Sequence, residues 1–531
     1  MPRRRQSAAP RAVPFEVVED LDHEPVTPGG PAGPAGDGEP PTSRGDDERG
    51  RDGQDEGPPG AGDPPSGRRT VRWTPWAAGA AVLALVVGGL AIGGKIEERR
   101  TAARLVASKG GVLPFTGPPR ELWSLDTGDH VWMPFGGMLL RRDAAGTSET
   151  VAAVDVLTGQ EVWQTAVGPQ AFCGRDVYWS AFTPDEGPLL CLSGTPDAMV
   201  VSVLGADGQV TGSREVGAVD EASGYAVGPG STVVHVRRDG PVGPPVGPLE
   251  LYDENGDATF VEAPGGREVV VTLEDALSGD VLWENRVPFV APTQAWECQV
   301  LDDGIEAALM LDQVTSRTTG QVVTVDGCGI DAAFDADGTR LDDPVIRDDE
   351  VLPLTPGTVS RFDPSTMRSV VLDRTGSALW EVTGQILRPS ASDGTSEDIV
   401  VVGTLSGLAA FHPDGRQLWQ VSTSGSTLHV HTSVAMVVDD GANGLTAIDP
   451  ATGRTLWTVP GEDSVYPFGA ATDGAQMVVL SRTADGSARS VGYDLATGEV
   501  LWTGTDTQDV GMVGYRGALL QLSEKRVSRV G

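Results

Sequence analysis

Short apolar runs separated by Asp, Gly and Pro fill the chain from residue 112 onward, and one arrangement keeps returning. "AVDVLTGQEVWQTAV" occupies 153–167, "TLEDALSGDVLWENRV" 272–287, "VLDRTGSALWEV" 371–382, "AFHPDGRQLWQV" 410–421, "AIDPATGRTLWTVP" 447–460 and "GYDLATGEVLWTG" 492–504. Each predicts a β-hairpin. The apolar run is one strand. The Asp accepts from backbone N–H groups two residues on and starts a turn. The Gly supplies the positive φ of a short hairpin loop, and a second strand follows with a Trp in it. Neighbouring strand residues point to opposite faces, so Leu456-Trp457 predicts a strand packed on both sides, as in sheets stacked on one another. A unit recurring at tens of residues marks a repeat architecture. Helix-period stripes are scarce after residue 111, which fits an all-β protein of many short strands.

The chain has 531 residues, more than one ordinary core holds, and it divides into distinct parts. Residues 1–72 are rich in Pro, Gly and charge, offer little to bury, and are expected to be a disordered cytoplasmic tail. "PFEVVEDLDHE" at 14–24 is taken as part of that inert tail. Residues 73–94 contain no charge between Arg72 and Lys95. That length spans a bilayer core as a helix, with Trp73 and Trp76 suited to the interface. Gly89 and Gly93 form a GxxxG that allows a weak homodimer, although such spacings are common in Ala/Gly-rich spans. Residues 95–111 are expected to be a juxtamembrane linker, and 112–531 the folded domain.

The flanking charges do not orient the span: Arg68, Arg69 and Arg72 precede it, and Lys95, Arg99, Arg100, Arg104 and Lys109 follow it. Cysteine usage does. Cys173, Cys191, Cys298 and Cys328 all lie in the large domain, an even number that fits disulfides in an oxidising compartment. No Cys-x-x-Cys or Cys/His cluster supports metal ligation. Sequence-local pairing predicts Cys173–Cys191 and Cys298–Cys328. The expected placement is therefore a single-pass cell-membrane protein with its tail cytoplasmic and its large domain extracytoplasmic. From residue 112 onward there are 24 basic against 59 acidic residues, which leaves no basic face for phosphates and argues against nucleic-acid binding.

The unit A-x-D-x-x-T-G-x-x-L-W resembles the repeat of PQQ-like β-propellers, the quinoprotein alcohol dehydrogenase-like superfamily. Ala447-Ile448-Asp449 with Thr452-Gly453 and Trp457 is one good copy. Val154-Asp155 with Thr158-Gly159 and Trp163 is another. The resemblance implies that each unit is the outer hairpin of a four-stranded blade and that Trp163, Trp283, Trp380, Trp419, Trp457 and Trp502 dock between adjacent blades. "LGADGQVTGSREV" at 204–216 and "FDADGTRL" at 334–341 look like degenerate copies without Trp. "ELWSLD" at 121–126 looks like an isolated outer strand that completes the final blade and closes the ring. A literal tally is nine, the family usually has seven or eight, and the expectation is an all-β, eight-bladed β-propeller. "DGPVGPPVGPLE" at 239–250 is expected to be a loop inserted into a blade.

Dehydrogenases of this family bind PQQ and Ca²⁺, with an Asp base and a disulfide between adjacent Cys stacked on the quinone. This chain has no adjacent Cys pair and no Cys-x-x-Cys-His for haem. His429 and His431 share a strand with no evident third zinc ligand. "DADG" at 335–338 and "DENGD" at 253–257 resemble calcium loops but do not complete the EF-hand spacing, and they equally read as hairpin turns. No catalytic, cofactor or metal residue is therefore assigned. The expected function is a non-enzymatic protein-binding scaffold or sensor domain. The alternative is a PQQ-dependent dehydrogenase with a divergent site.

Overall fold

The computed structural model describes residues 98–531 except 127–131, 146–147, 175–186, 221, 244–245, 253–257, 264, 292–312, 343–349, 356, 424, 440–443, 462–465, 483–487, 507–510 and 524–525. The expected tail, the apolar stretch 73–94 with Gly89 and Gly93, Cys298 and "DENGD" lie outside the described residues. Among the described residues no helix is long and apolar enough to cross a membrane. They form an all-β fold with a single helix, residues 98–107.

Nine sheets share one plan, in which successive strands pair antiparallel from the first to the last. Sheet 1 spans 132–167, sheet 2 172–217, sheet 3 223–287, sheet 4 314–335, sheet 5 350–383, sheet 6 385–421, sheet 7 428–459, sheet 8 466–506 and sheet 9 511–530. Most have four strands. Among the described residues sheet 4 has three, and sheet 7 gains a short parallel strand, Ala391–Ser392, against Leu428–His431. Between the second and third strands of sheet 3 sits an extra hairpin of Val246–Tyr252 and Ala258–Ala263. The Pro-rich insertion expected as a loop is thus partly strand.

Each sheet shares a hydrophobic cluster with the next. Leu140 and Trp163 of sheet 1 meet Leu189 and Leu204 of sheet 2, and Val437 and Trp457 of sheet 7 meet Met477 and Val491 of sheet 8. Leu520 and Val527 of sheet 9 pack back on Leu139 and Val154 of sheet 1. Sheet 9 takes its fourth strand from the other end of the domain. Glu121–Asp126 pairs antiparallel with Arg526–Val530, and Arg120 and Gly531 exchange backbone hydrogen bonds of 3.1 and 3.0 Å. This is the closure expected of the isolated "ELWSLD" strand.

The first strand of sheet 7 is covered on both faces: every residue of Leu428–His431 is buried. Fourth strands behave differently, which corrects the expectation drawn from Leu456-Trp457. The residue before the Trp is only partly buried at Leu456 and is exposed at Val162, Leu282, Leu379 and Leu501. Sheets that radiate from a common centre diverge toward the rim, so the outermost strand docks one face and leaves the other wet.

Candidate functional site

The repeated hairpins assemble by one geometry. In sheet 7 the Asp449 carboxylate accepts from the Ala451 and Thr452 N–H groups at 2.9 and 3.1 Å. Asp155, Asp275 and Asp494 do the same at their own turns. The Ser278 N–H, foremost among several donors, holds the Asp275 carboxyl below its usual range. Each turn ends on a glycine with positive φ, among them Gly453 at 74° and Gly498 at 72°. Those glycines form the seat for the preceding sheet's tryptophan. Trp123 lies on Gly159, Trp163 on Gly208, Trp283 on Gly338, Trp380 on Gly415, Trp419 on Gly453 and Trp457 on Gly498, so close that a Cβ on any of them would collide with the ring. Four of these indoles also donate to a carbonyl in the same turn: Trp283 to Ala336, Trp380 to Pro413, Trp419 to Pro450 and Trp457 to Leu495, at 2.7–3.0 Å.

Sheets without the standard pair show what the seat requires. In sheet 2, Gly212 stands opposite Val203, the register position that Trp163 holds opposite Ala153. Two residues further along, Arg214 reaches over Gly279 of sheet 3. Its Nε donates to the Ala276 carbonyl at 3.1 Å, and its guanidinium pairs with Glu274 at 2.8 Å. Ala276 follows Asp275 as Leu495 follows Asp494, so Arg214 reaches the carbonyl that an indole reaches elsewhere. A planar guanidinium can stack like an aromatic ring. The repeat pattern does not mark Arg214, because the tryptophan position itself holds Gly212. Trp502 differs in another way. Sheet 9 has no Asp-Gly hairpin, because its third and fourth strands come from opposite ends of the domain. The Trp502 ring lies against Gly492 of its own sheet and packs edge-on to Phe115, with centroids 6.2 Å apart.

Phe115 belongs to a segment expected as linker and domain edge that is instead built into the fold. Leu105 on the 98–107 helix and Val112 are fully buried, and Phe115 is buried but for a small edge. Arg104 Nε donates to the Asp393 carbonyl at 2.9 Å. The Lys109 carbonyl accepts from Ser392 N at 2.7 Å, and the Gly110 carbonyl from Thr472 N at 3.1 Å. Val112 N donates to Thr472 O and Leu113 N to Gly517 O, at 2.9 and 2.8 Å. Lys109 sits in this crossing with its ammonium pushed down to about 8, by burial first and by the Arg388 charge second. The segment runs across the short Ala391–Ser392 strand and the first strands of sheets 8 and 9 before it reaches the rim as Glu121–Asp126.

Cys173 and Cys191 face each other across the first two strands of sheet 2 and form a disulfide, with Cα atoms 4.0 Å apart. Cys328 in sheet 4 is disulfide-bonded as well. His429 and His431 lie buried on the first strand of sheet 7, and among the described residues neither ring nitrogen of His429 has a hydrogen-bond partner. Burial lowers both pKa values, that of His431 to about 4, against the opposing pull of Asp439 on His429 and of Asp398 on His431. Among the described residues no group of three or more His, Cys, Asp or Glu is placed to hold a metal. The "DADG" turn instead seats Trp283. These residues do not supply the PQQ seat of the dehydrogenases: the disulfide joins residues 18 apart across a ladder rather than adjacent residues.

Residues 355–513 match the family model described as outer membrane protein assembly factor BamB. No curated protein matches the chain. Among solved structures, BamB from Moraxella catarrhalis is 13% identical, covering 78% of this chain and 99% of its own, with a TM-score of 0.39. Quinohemoprotein alcohol dehydrogenase from Comamonas testosteroni is 14% identical, covering 82% and 81%, with a TM-score of 0.34. The computationally designed Ika8 protein is 16% identical, covering 70% and 97%, with a TM-score of 0.30.

Proposed function

We propose that this chain, whose residues 355–513 match the BamB family model, is a PQQ-like β-propeller acting as a non-enzymatic protein-binding scaffold, anchored in the cell membrane by residues 73–94 and carrying its propeller outside the cytoplasm. The observation that carries this reading is the way the repeat residues are used. The turn Asp and Gly residues and most of the repeat tryptophans go into docking one sheet on the next, which leaves the turns at the two ends of the ring free to vary and to bind. The Cys173–Cys191 disulfide supports the extracytoplasmic placement. The BamB family match supports an interaction role. We read the ring as nine blades rather than eight, because sheet 4 has a hydrophobic cluster on each side, shared with sheets 3 and 5.

Two measurements test the proposal. Protein crosslinked in intact cells and purified from the membrane is expected to carry a stoichiometric protein partner. The purified chain is expected to show no thermal shift with PQQ and Ca²⁺ added together. A saturable shift of several degrees, with a quinone redox spectrum, would overturn the scaffold in favour of a dehydrogenase.

A further inference from the structure

We infer that residues 98–117 form a strap that turns one end of the ring toward the membrane. This rests on the reading of residues 73–94 as a membrane anchor. Because strands within each sheet alternate in direction, the turns between first and second strands lie at the same end as the Asp-Gly hairpins between third and fourth. Every bond of the strap named above is made at that end. Asp393 and Ser392 lie between the first and second strands of sheet 6, Thr472 ends the first strand of sheet 8, and Gly517 lies in the first turn of sheet 9. The fit is steric as well as polar. A Cβ on Gly111 would strike the Leu105 carbonyl, one on Gly514 the Gly110 carbonyl, and one on Gly110 the Ala391 backbone. Such a segment is a fixed part of the ring.

The tether that remains is short. Only Lys95, Ile96 and Glu97 separate Gly94 from the start of the helix. At full extension they span about 14 Å, and Leu105 lies about 10 Å further along the helix. The strap is therefore seated within about 25 Å of the end of an anchor at Gly94. A sheet of four strands measures about 15 Å from first to fourth, so a closed ring exceeds about 40 Å across. A ring held near its centre on a tether this short cannot bring its far end to the lipid. The charges agree. Arg104 is tied to Asp393, while Arg99 and Arg100 are exposed beside Glu98. A chain of formal net charge −36 thus exposes two guanidinium groups at the start of the strap, suited to anionic headgroups.

Two exposed residues on neighbouring sheets report the two ends. Val434 lies in the first turn of sheet 7 and is 40% exposed, and Leu405 lies in the second turn of sheet 6 and is 89% exposed. Val434→Cys and Leu405→Cys proteins, full-length and labelled with a maleimide fluorophore, are reconstituted into phosphatidylglycerol-containing vesicles with nitroxide-headgroup lipid. Quenching at position 434 is expected to be at least about twofold stronger than at 405. Twenty Gly/Ser residues inserted between Glu97 and Glu98 are expected to erase the difference without changing vesicle flotation or the thermal midpoint. Equal or reversed quenching in protein that floats with the vesicles overturns the strap's orienting role alone. Failure to float after a salt wash overturns the anchor, and this inference with it.

Discussion

The indole of Trp457 lies across Gly498 of the neighbouring sheet. A Cβ built on that glycine would stand 2.6 Å from the ring's Cδ2. The same indole donates from Nε1 to the Leu495 carbonyl at 2.9 Å. One residue thus requires the absence of a side chain on the other, 41 positions away in sequence.

Trp457→Ala is expected to destabilise the propeller by about 3–5 kcal/mol, through lost burial and the cavity left behind. Gly498→Ala is expected to cost roughly 2 kcal/mol, because it adds a Cβ at φ 72° beneath the ring. The double variant is expected to fall short of the sum by about 1 kcal/mol, since the collision needs both groups. Urea midpoints of the three variants measure this, and strict additivity would show that the two residues do not touch.

Arg214→Met is expected to lower the thermal midpoint more than Arg214→Lys. The first removes both the Ala276 bond and the Glu274 pair, at about 2–3 kcal/mol for a half-buried charged network, whereas the second keeps one charged donor. Equal effects would mean that the fork geometry over Gly279 is irrelevant.

Replacing Cys173 and Cys191 together by Ala is expected to cost about 3 kcal/mol, the loop-closure entropy released to the unfolded chain. Alkylation of intact cells before lysis is expected to find no free thiol at either position in the native protein. Labelling at both would count against the bridge and against the extracytoplasmic placement.

Acidification is expected to weaken the fold between pH 6.5 and about 4. His431 takes up its proton near pH 6.5 when unfolded but only at about 4 when folded, so the unfolded state binds more protons in that window and stability falls as pH falls. Between pH 7 and 5 this one group contributes a loss of about 2 kcal/mol, and His429, lowered by the same burial, adds to it. His431→Gln is expected to flatten the dependence. An unchanged slope in the variant would place the effect elsewhere.

The hairpins were legible in the sequence because their causes are local. Asp449 satisfies N–H groups two and three residues on, and Gly453 turns the chain four residues on. Four copies of that chemistry, at Asp155, Asp275, Asp449 and Asp494, point to an all-β repeat whatever surrounds them. The unpaired "ELWSLD" strand could be assigned to the last sheet for a similar reason: its pattern is that of a fourth strand, and one sheet lacked one. Tertiary structure alone decided the rest. Arg214 does the work of a tryptophan only because Gly279 and Ala276 lie within its reach, more than 60 residues along the chain. Leu379 is exposed although it precedes a docked Trp380, because sheets that radiate from a centre open at the rim. Residues 98–111 lie in the stretch that the sequence marks as linker, and they become part of the ring with Val112 and Leu113 through backbone bonds to Ser392, Thr472 and Gly517. Those bonds carry no side-chain signature. Turn chemistry is written within four residues, whereas docking depends on which surfaces the closed ring brings together.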